Sequence, residues 1–148
     1  MANSVGSWRV GELPQDAGYE ACFVRSMVIA DVLKERTFGF AAQAVEFCQT
    51  LPEDWKTREI GRQLLRSATG MAANYRAACR GRSRREFIAK LGVAVEEADE
   101  AVFWLELIER TRLSDGPALK AVRVEAQELR AILARSHRTA RENNCGRE

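Results

Sequence analysis

From residue 31 onward, apolar side chains recur at alternating spacings of four and three, the interval that stacks them on one face of an α-helix. Leu33, Thr37, Phe40, Ala44, Phe47 and Leu51 make the first stripe, and Phe38, Ala41, Val45 and Cys48 make a second beside it. Pro52 disfavours helical backbone at the residue before it, so the pattern predicts a helix over 31–51. Ile60, Leu64, Ala68, Met71, Tyr75 and Ala78 predict a second helix over 54–80, with Leu65, Ala72 and Cys79 widening its apolar face. Small residues crowd its middle (Ser67, Ala68, Gly70, Ala72, Ala73), where a neighbouring helix can come close.

A third helix is predicted over 84–112 from Phe87, Leu91, Ala94, Ala98, Ala101, Leu105 and Ile108. Val95, Val102, Trp104 and Leu107 add apolar surface off that seam, so the helix should be covered on more than one side. Leu119, Val122, Ala126, Leu129 and Leu133 predict the fourth, over 116–141. No segment alternates convincingly with the period of a strand.

The breaks between helices carry their own signals. Gly81 stands where a helix-terminating glycine takes up left-handed backbone. Ser83 and Glu86 match a capping box, in which each side chain accepts from the other's backbone N–H. Ser114 or Asp115 would cap the fourth helix, with Pro117 in its first turn. Residues 1–26, interrupted by Gly6, Gly11, Pro14 and Gly18, read as a flexible extension, 27–142 as the domain and 143–148 as a frayed tail.

Four helices on connections of a few residues define an all-α, antiparallel up-down-up-down four-helix bundle. The first and third helices carry more apolar surface than one such core requires. Surplus stripes of this kind indicate self-association, and a homo-oligomer is expected.

Composition fits this picture and narrows it little. At 148 residues, 46% hydrophobic and 30% charged, the chain is large enough for a single core without disulfide or metal. The net charge of +2 singles out no class of ligand. Cys22, Cys48, Cys79 and Cys145 lie far apart, as expected of free thiols in a reducing, cytoplasmic setting. The longest apolar run near the N-terminus, Met27 to Ala30, is too short to span a membrane or form a signal peptide.

The candidate chemistry is sparse. Arg76, Arg80, Arg82, Arg84, Arg85 and Lys90 cluster around the break between the second and third helices. Guanidinium groups pair with phosphate in two-pronged fashion, and a cluster gains affinity by releasing counterions. The other reading of the cluster is a solvated corner with partners on neighbouring subunits. Tyr75 and Phe87 flank it but lie on core stripes, so base stacking has little to work with.

Glu96, Glu97, Asp99, Glu100, Glu106 and Glu109 raise the question of a metal. A di-iron bundle needs Glu-x-x-His on two helices, and the one histidine, His137, follows no such motif. Salt bridges to arginines across a subunit boundary are the expectation for these acids. His137 has no serine or cysteine partner in a recognisable motif and reads as part of a solvated last turn, and no glycine-rich phosphate loop is present. Cys79 lies beside Arg76 and Arg80 but reads as a packed thiol. Asn74, a poor choice inside a helix, should bond across an interface or to nearby backbone, and Trp104 should bury its ring in the core or at a subunit contact. An enzyme is not expected, and no cofactor is called for.

Over roughly 32–144 the chain resembles the four-helix-bundle proteins of the 23S rRNA intervening-sequence family. The resemblance is carried by Lys34-x-x-x-Phe38-x-Phe40-Ala41, Gln63-Leu64-Leu65-Arg66-Ser67-x-Thr69 and Ala73-Asn74. It continues through Ser83-x-x-Glu86-Phe87-Ile88-x-Lys90-Leu91, Glu97-Ala98-Asp99-Glu100 and Phe103-Trp104-Leu105. The resemblance implies an antiparallel four-helix subunit in a ring-like homopentamer, in a family without an established biochemical role. A more distant similarity, to the basic accessory protein of diversity-generating retroelements, implies nucleic acid and a reverse transcriptase as partners. Two departures stand out: Ala77 replaces a glutamate that many members carry, and the near-neutral charge lacks the accessory protein's strong basicity.

Together these readings give a non-catalytic oligomer. It acts either as a nucleic-acid accessory protein, contacting RNA or DNA through its basic corner, or as a protein-interaction scaffold with no nucleic-acid role.

Overall fold

The computed structural model describes the backbone of residues 17–145 and the side chains of residues 28–142. Four helices account for nearly all of it: α1 (Ala17–Gln49), α2 (Trp55–Cys79), α3 (Arg84–Arg110) and α4 (Pro117–Cys145). No strand occurs among the described residues. Three helices fall within two residues of their expected starts, while α1 begins at Ala17, well before Asp31. The stripe that predicts α1 marks only where apolar spacing becomes regular. Tyr19 to Ala30 contains neither glycine nor proline, so nothing in its backbone chemistry ends a helix there. Residues 1–16 of the expected extension and 146–148 of the expected tail lie outside the described residues.

The chain divides into two compact units, 1–32 and 33–148. In the first, the described side chains of Val28, Ile29 and Val32 are exposed on α1. In the second, the stripes read from the sequence close on one core. Leu33, Phe40, Ala44 and Phe47 of α1 and Leu64, Ala68 and Met71 of α2 are buried. Leu91, Ala94, Ala98, Ala101, Leu105 and Ile108 of α3 and Leu119, Ala126, Leu129 and Leu133 of α4 complete it. Each buried leucine or phenylalanine contributes roughly 1.5–3 kcal/mol over an exposed one. The core holds three polar side chains, Thr37, Thr57 and Ser67. Each satisfies its hydroxyl locally: Thr37 donates to the Lys34 carbonyl (3.0 Å), Ser67 to Gln63 and Leu64 (3.1 Å each), and Thr57 to Asp54 Oδ2 (2.6 Å).

Helix ends follow local rules, with three departures from expectation. α1 tightens before Pro52 through i→i+3 bonds, Thr50 N–H to Phe47 (2.9 Å) and Leu51 N–H to Cys48 (3.3 Å). Asp54 caps α2, accepting from Lys56 N–H (3.0 Å) and Thr57 N–H (3.2 Å). These bonds, the Thr57 hydroxyl foremost, hold its carboxyl below the usual range. Ser83 caps α3 by accepting from Glu86 N–H (3.1 Å), but Glu86 accepts from Arg82 N–H (2.9 Å), one residue before the cap. Gly81 is not left-handed, and no described glycine has positive φ. It is needed for closeness: a Cβ there would lie 3.1 Å from both Ala78 O and Phe87 N. The left-handed residue is Arg112 (φ 54°), just past α3. Finally, α4 begins at Pro117 with the Gly116 carbonyl accepting from Lys120 N–H (3.4 Å), so neither Ser114 nor Asp115 is its cap.

Candidate nucleic-acid interface

Arg76 lies in the last turn of α2, Arg80 is its C-cap, Arg82 is in the turn, and Arg84, Arg85 and Lys90 open α3. All six side chains are exposed. Among the described residues, none of the six forms an ion pair. Five other arginines are engaged, Arg36 with Glu125 and Glu128, Arg62 with Glu59, Arg66 with Glu100, Arg123 with Glu109 and Arg130 with Asp99, whereas Arg58, Arg110, Arg112 and Arg135, like the six, form no ion pair among the described residues. The turn itself is fixed by the Ser83 cap, the Glu86 bond to Arg82 N–H and the close approach at Gly81. Six exposed cations therefore surround a short, ordered corner.

The corner also reaches α4. Arg84 donates through Nη2 to the Ala140 carbonyl (3.1 Å), 56 residues away in sequence. Exposed Arg138 and Arg141 flank that carbonyl. Sequence reading missed these two because they belong to another helix, although their three-residue spacing near the end of α4 was a signal. Tyr75 is buried and Phe87 half-buried against the core, so neither offers a face for base stacking.

Three of the acidic set on α3 pair within the chain. Asp99 meets Arg130 (3.0 Å), Glu100 meets Arg66 (3.4 Å), and Glu109 meets Arg123. Among the described residues, no three histidine, cysteine, aspartate or glutamate side chains are placed to hold a metal ion. Glu97 rests in the small-residue notch of α2, against Gly70, with Oε2 buried and unpartnered. Burial, reinforced by the neighbouring Glu100, raises its carboxyl above the usual range. His137 is half-buried and not part of a solvated turn: its Nε2 lies 3.2 Å from where a Cβ on Gly92 would stand. Asn74 donates to the Gly70 carbonyl of its own helix (2.9 Å), and the half-buried Trp104 packs against the core with Phe103 edge-on to its ring (4.9 Å).

Comparison with known proteins places this fold. The family model for the 23S rRNA-intervening sequence protein matches residues 32–135. The chain belongs to that family. A solved structure from Bacteroides thetaiotaomicron VPI-5482, described as a protein of unknown function from the S23 ribosomal protein family, is 31% identical with a TM-score of 0.67. The match covers 74% of this chain and 97% of that one. No curated protein matches this chain. Among the described residues, no helix is long and apolar enough to cross a membrane.

Proposed function

We propose that this chain is a non-catalytic, oligomeric accessory protein that holds nucleic-acid phosphates at the corner between α2 and α3. The observation that carries this reading is the set of six exposed cations around one ordered turn, none of them in an ion pair among the described residues. Phosphate is the complementary partner, because guanidinium groups bind it with two parallel hydrogen bonds and release counterions on contact.

The subunit is read as an antiparallel up-down-up-down bundle. Supporting it, contact partners fall on one helix as they rise on the next: Gly70 with Glu97 and Arg66 with Glu100, then Asp99 with Arg130 and Glu109 with Arg123. Exposed Phe38 and Val45 on α1 and Phe103 on α3 supply the surplus apolar surface for assembly into a homopentamer. A ring repeats the corner and turns modest individual contacts into avidity. A reverse transcriptase is the protein partner that the retroelement similarity suggests, and the cytoplasm is the compartment.

Mobility-shift titration with RNA and DNA tests the phosphate reading. The native protein should bind, and more weakly as salt rises. Arg82→Glu, Arg84→Glu and Arg85→Glu together should abolish binding without changing helicity or native mass. Binding by neither nucleic acid at low salt, or binding indifferent to salt, leaves only the protein-interaction scaffold.

A further inference from the structure

The hydrogen bond from Arg84 to Ala140 joins the corner to a surface that its own sequence neighbourhood does not contain. Arg138 precedes that carbonyl by two residues and Arg141 follows it by one. Both are exposed, and neither forms an ion pair among the described residues. They lie beyond the stretch matched by the family model, which ends at residue 135. The ring of His137 over Gly92 also seats this end of α4 on α3, so its placement does not depend on Arg84 alone.

Among the described residues, two carboxylates share this region. Glu86 is committed to Arg82 N–H, and Glu142 stands exposed beside Arg141. Positive charge still prevails, with Arg82, Arg84 and Arg85 on one side and Arg138 and Arg141 on the other.

Aromatic placement speaks to the ligand. Single strands are gripped by stacking bases on exposed rings beside a basic groove. Among the described residues, the strongly exposed rings are Phe38, Trp55 and Phe103. At 1.5 Å of rise per residue, Trp55 lies roughly 30 Å down α2 from Arg76, and Phe103 roughly 27 Å along α3 from Arg85. Among the described residues, the rings that flank the guanidiniums, Tyr75 and Phe87, pack against the core, and such a cluster reads backbones, not bases.

We infer that Arg138 and Arg141 of α4 extend the α2–α3 corner into one surface for the phosphate backbone of a nucleic-acid duplex. This rests on the phosphate reading of the corner and adds both the second half of the site and the form of the ligand. Base pairs stay stacked, and sequence is not read.

The test uses the full chain and fluorescence anisotropy on labelled duplex RNA, duplex DNA and the matching single strands, over a range of salt. Native protein should prefer a duplex, and the RNA and DNA arms show which backbone it favours. Arg138→Ala with Arg141→Ala should weaken duplex binding on the order of tenfold or more and lower the salt slope by about two, because each arginine neutralises one phosphate. Lysine at both positions should restore most of the slope. If the α4 pair changes nothing while the Arg82, Arg84 and Arg85 reversal abolishes binding, the extension is wrong and the corner stands. Tighter binding of single strands overturns the duplex assignment, and no binding by native protein overturns both proposals. Unchanged helicity of the variants, whose side chains are exposed, excludes misfolding as the cause.

Discussion

Arg112 holds φ at 54°, a conformation that places Cβ against the neighbouring backbone and disfavours side chains by roughly 1–2 kcal/mol. It persists because the chain reversal after α3 satisfies two carbonyls: Arg112 N–H bonds to Glu109 (3.0 Å) and Leu113 N–H to Ile108 (3.1 Å), with Leu113 packed on the core. Arg112→Gly should therefore stabilise the fold by about 1 kcal/mol, read as a melting temperature higher by roughly 2–4 °C. Glu97 offers a second residue-level expectation. Its folded carboxyl is raised by burial above its unfolded value, so the native state takes up a proton first as pH falls. Its contribution to stability is present at acid pH and is lost as pH rises through the folded value. Glu97→Gln should raise the melting temperature near neutrality and flatten its fall between acid and neutral pH. Neither feature was legible in the sequence. Left-handed backbone was expected at Gly81, the chemically permissive residue, but long-range packing around Leu113 placed it on an arginine. Glu97 looked like one more polar-face acid because its burial depends on Gly70 of a different helix.

At the scale of elements, four-and-three spacing fixed which faces are buried, since 3.6 residues per turn leaves little freedom once a stripe is apolar. The second stripe of α1 was less informative: Ala41 is buried and Cys48 half-buried, whereas Phe38 and Val45 are exposed. Two glycines show why neighbours decide what a substitution does. A Cβ on Gly81 would press on backbone atoms, Ala78 O and Phe87 N, which can yield only if the turn opens. Gly81→Ala should cost roughly 1–2 kcal/mol in denaturant titration and loosen the proposed nucleic-acid binding by moving the corner. A Cβ on Gly70 would instead first meet the Glu97 carboxylate (2.7 Å to Cδ), the free end of a flexible side chain. Gly70→Ala should stabilise by up to about 1 kcal/mol through helix propensity, with Glu97 displaced towards water. In that background Glu97→Gln should have little further effect, a non-additivity that a double-mutant cycle measures.

For the molecule as a whole, assembly is the quantity most open to measurement. Native mass spectrometry should show a particle of five 16.6 kDa chains. Phe38→Glu with Val45→Glu should reduce it to single chains without loss of helix, because both side chains are exposed on the subunit. Persistence of the native mass in that variant would move the interface elsewhere, and a single-chain native particle would dismiss it. The candidate site was half legible at this scale: the arginines around Ser83 are contiguous in sequence, while those around Ala140 meet them only through folding. The bond between Arg84 and Ala140 has a consequence for how the molecule can vary. The last buried apolar residue described on α4 is Leu133, so the hydrophobic interior is complete without the turns around Ala140. A chain altered there can thus be folded yet lack part of its proposed ligand surface, and those turns can change in evolution without disturbing the interior.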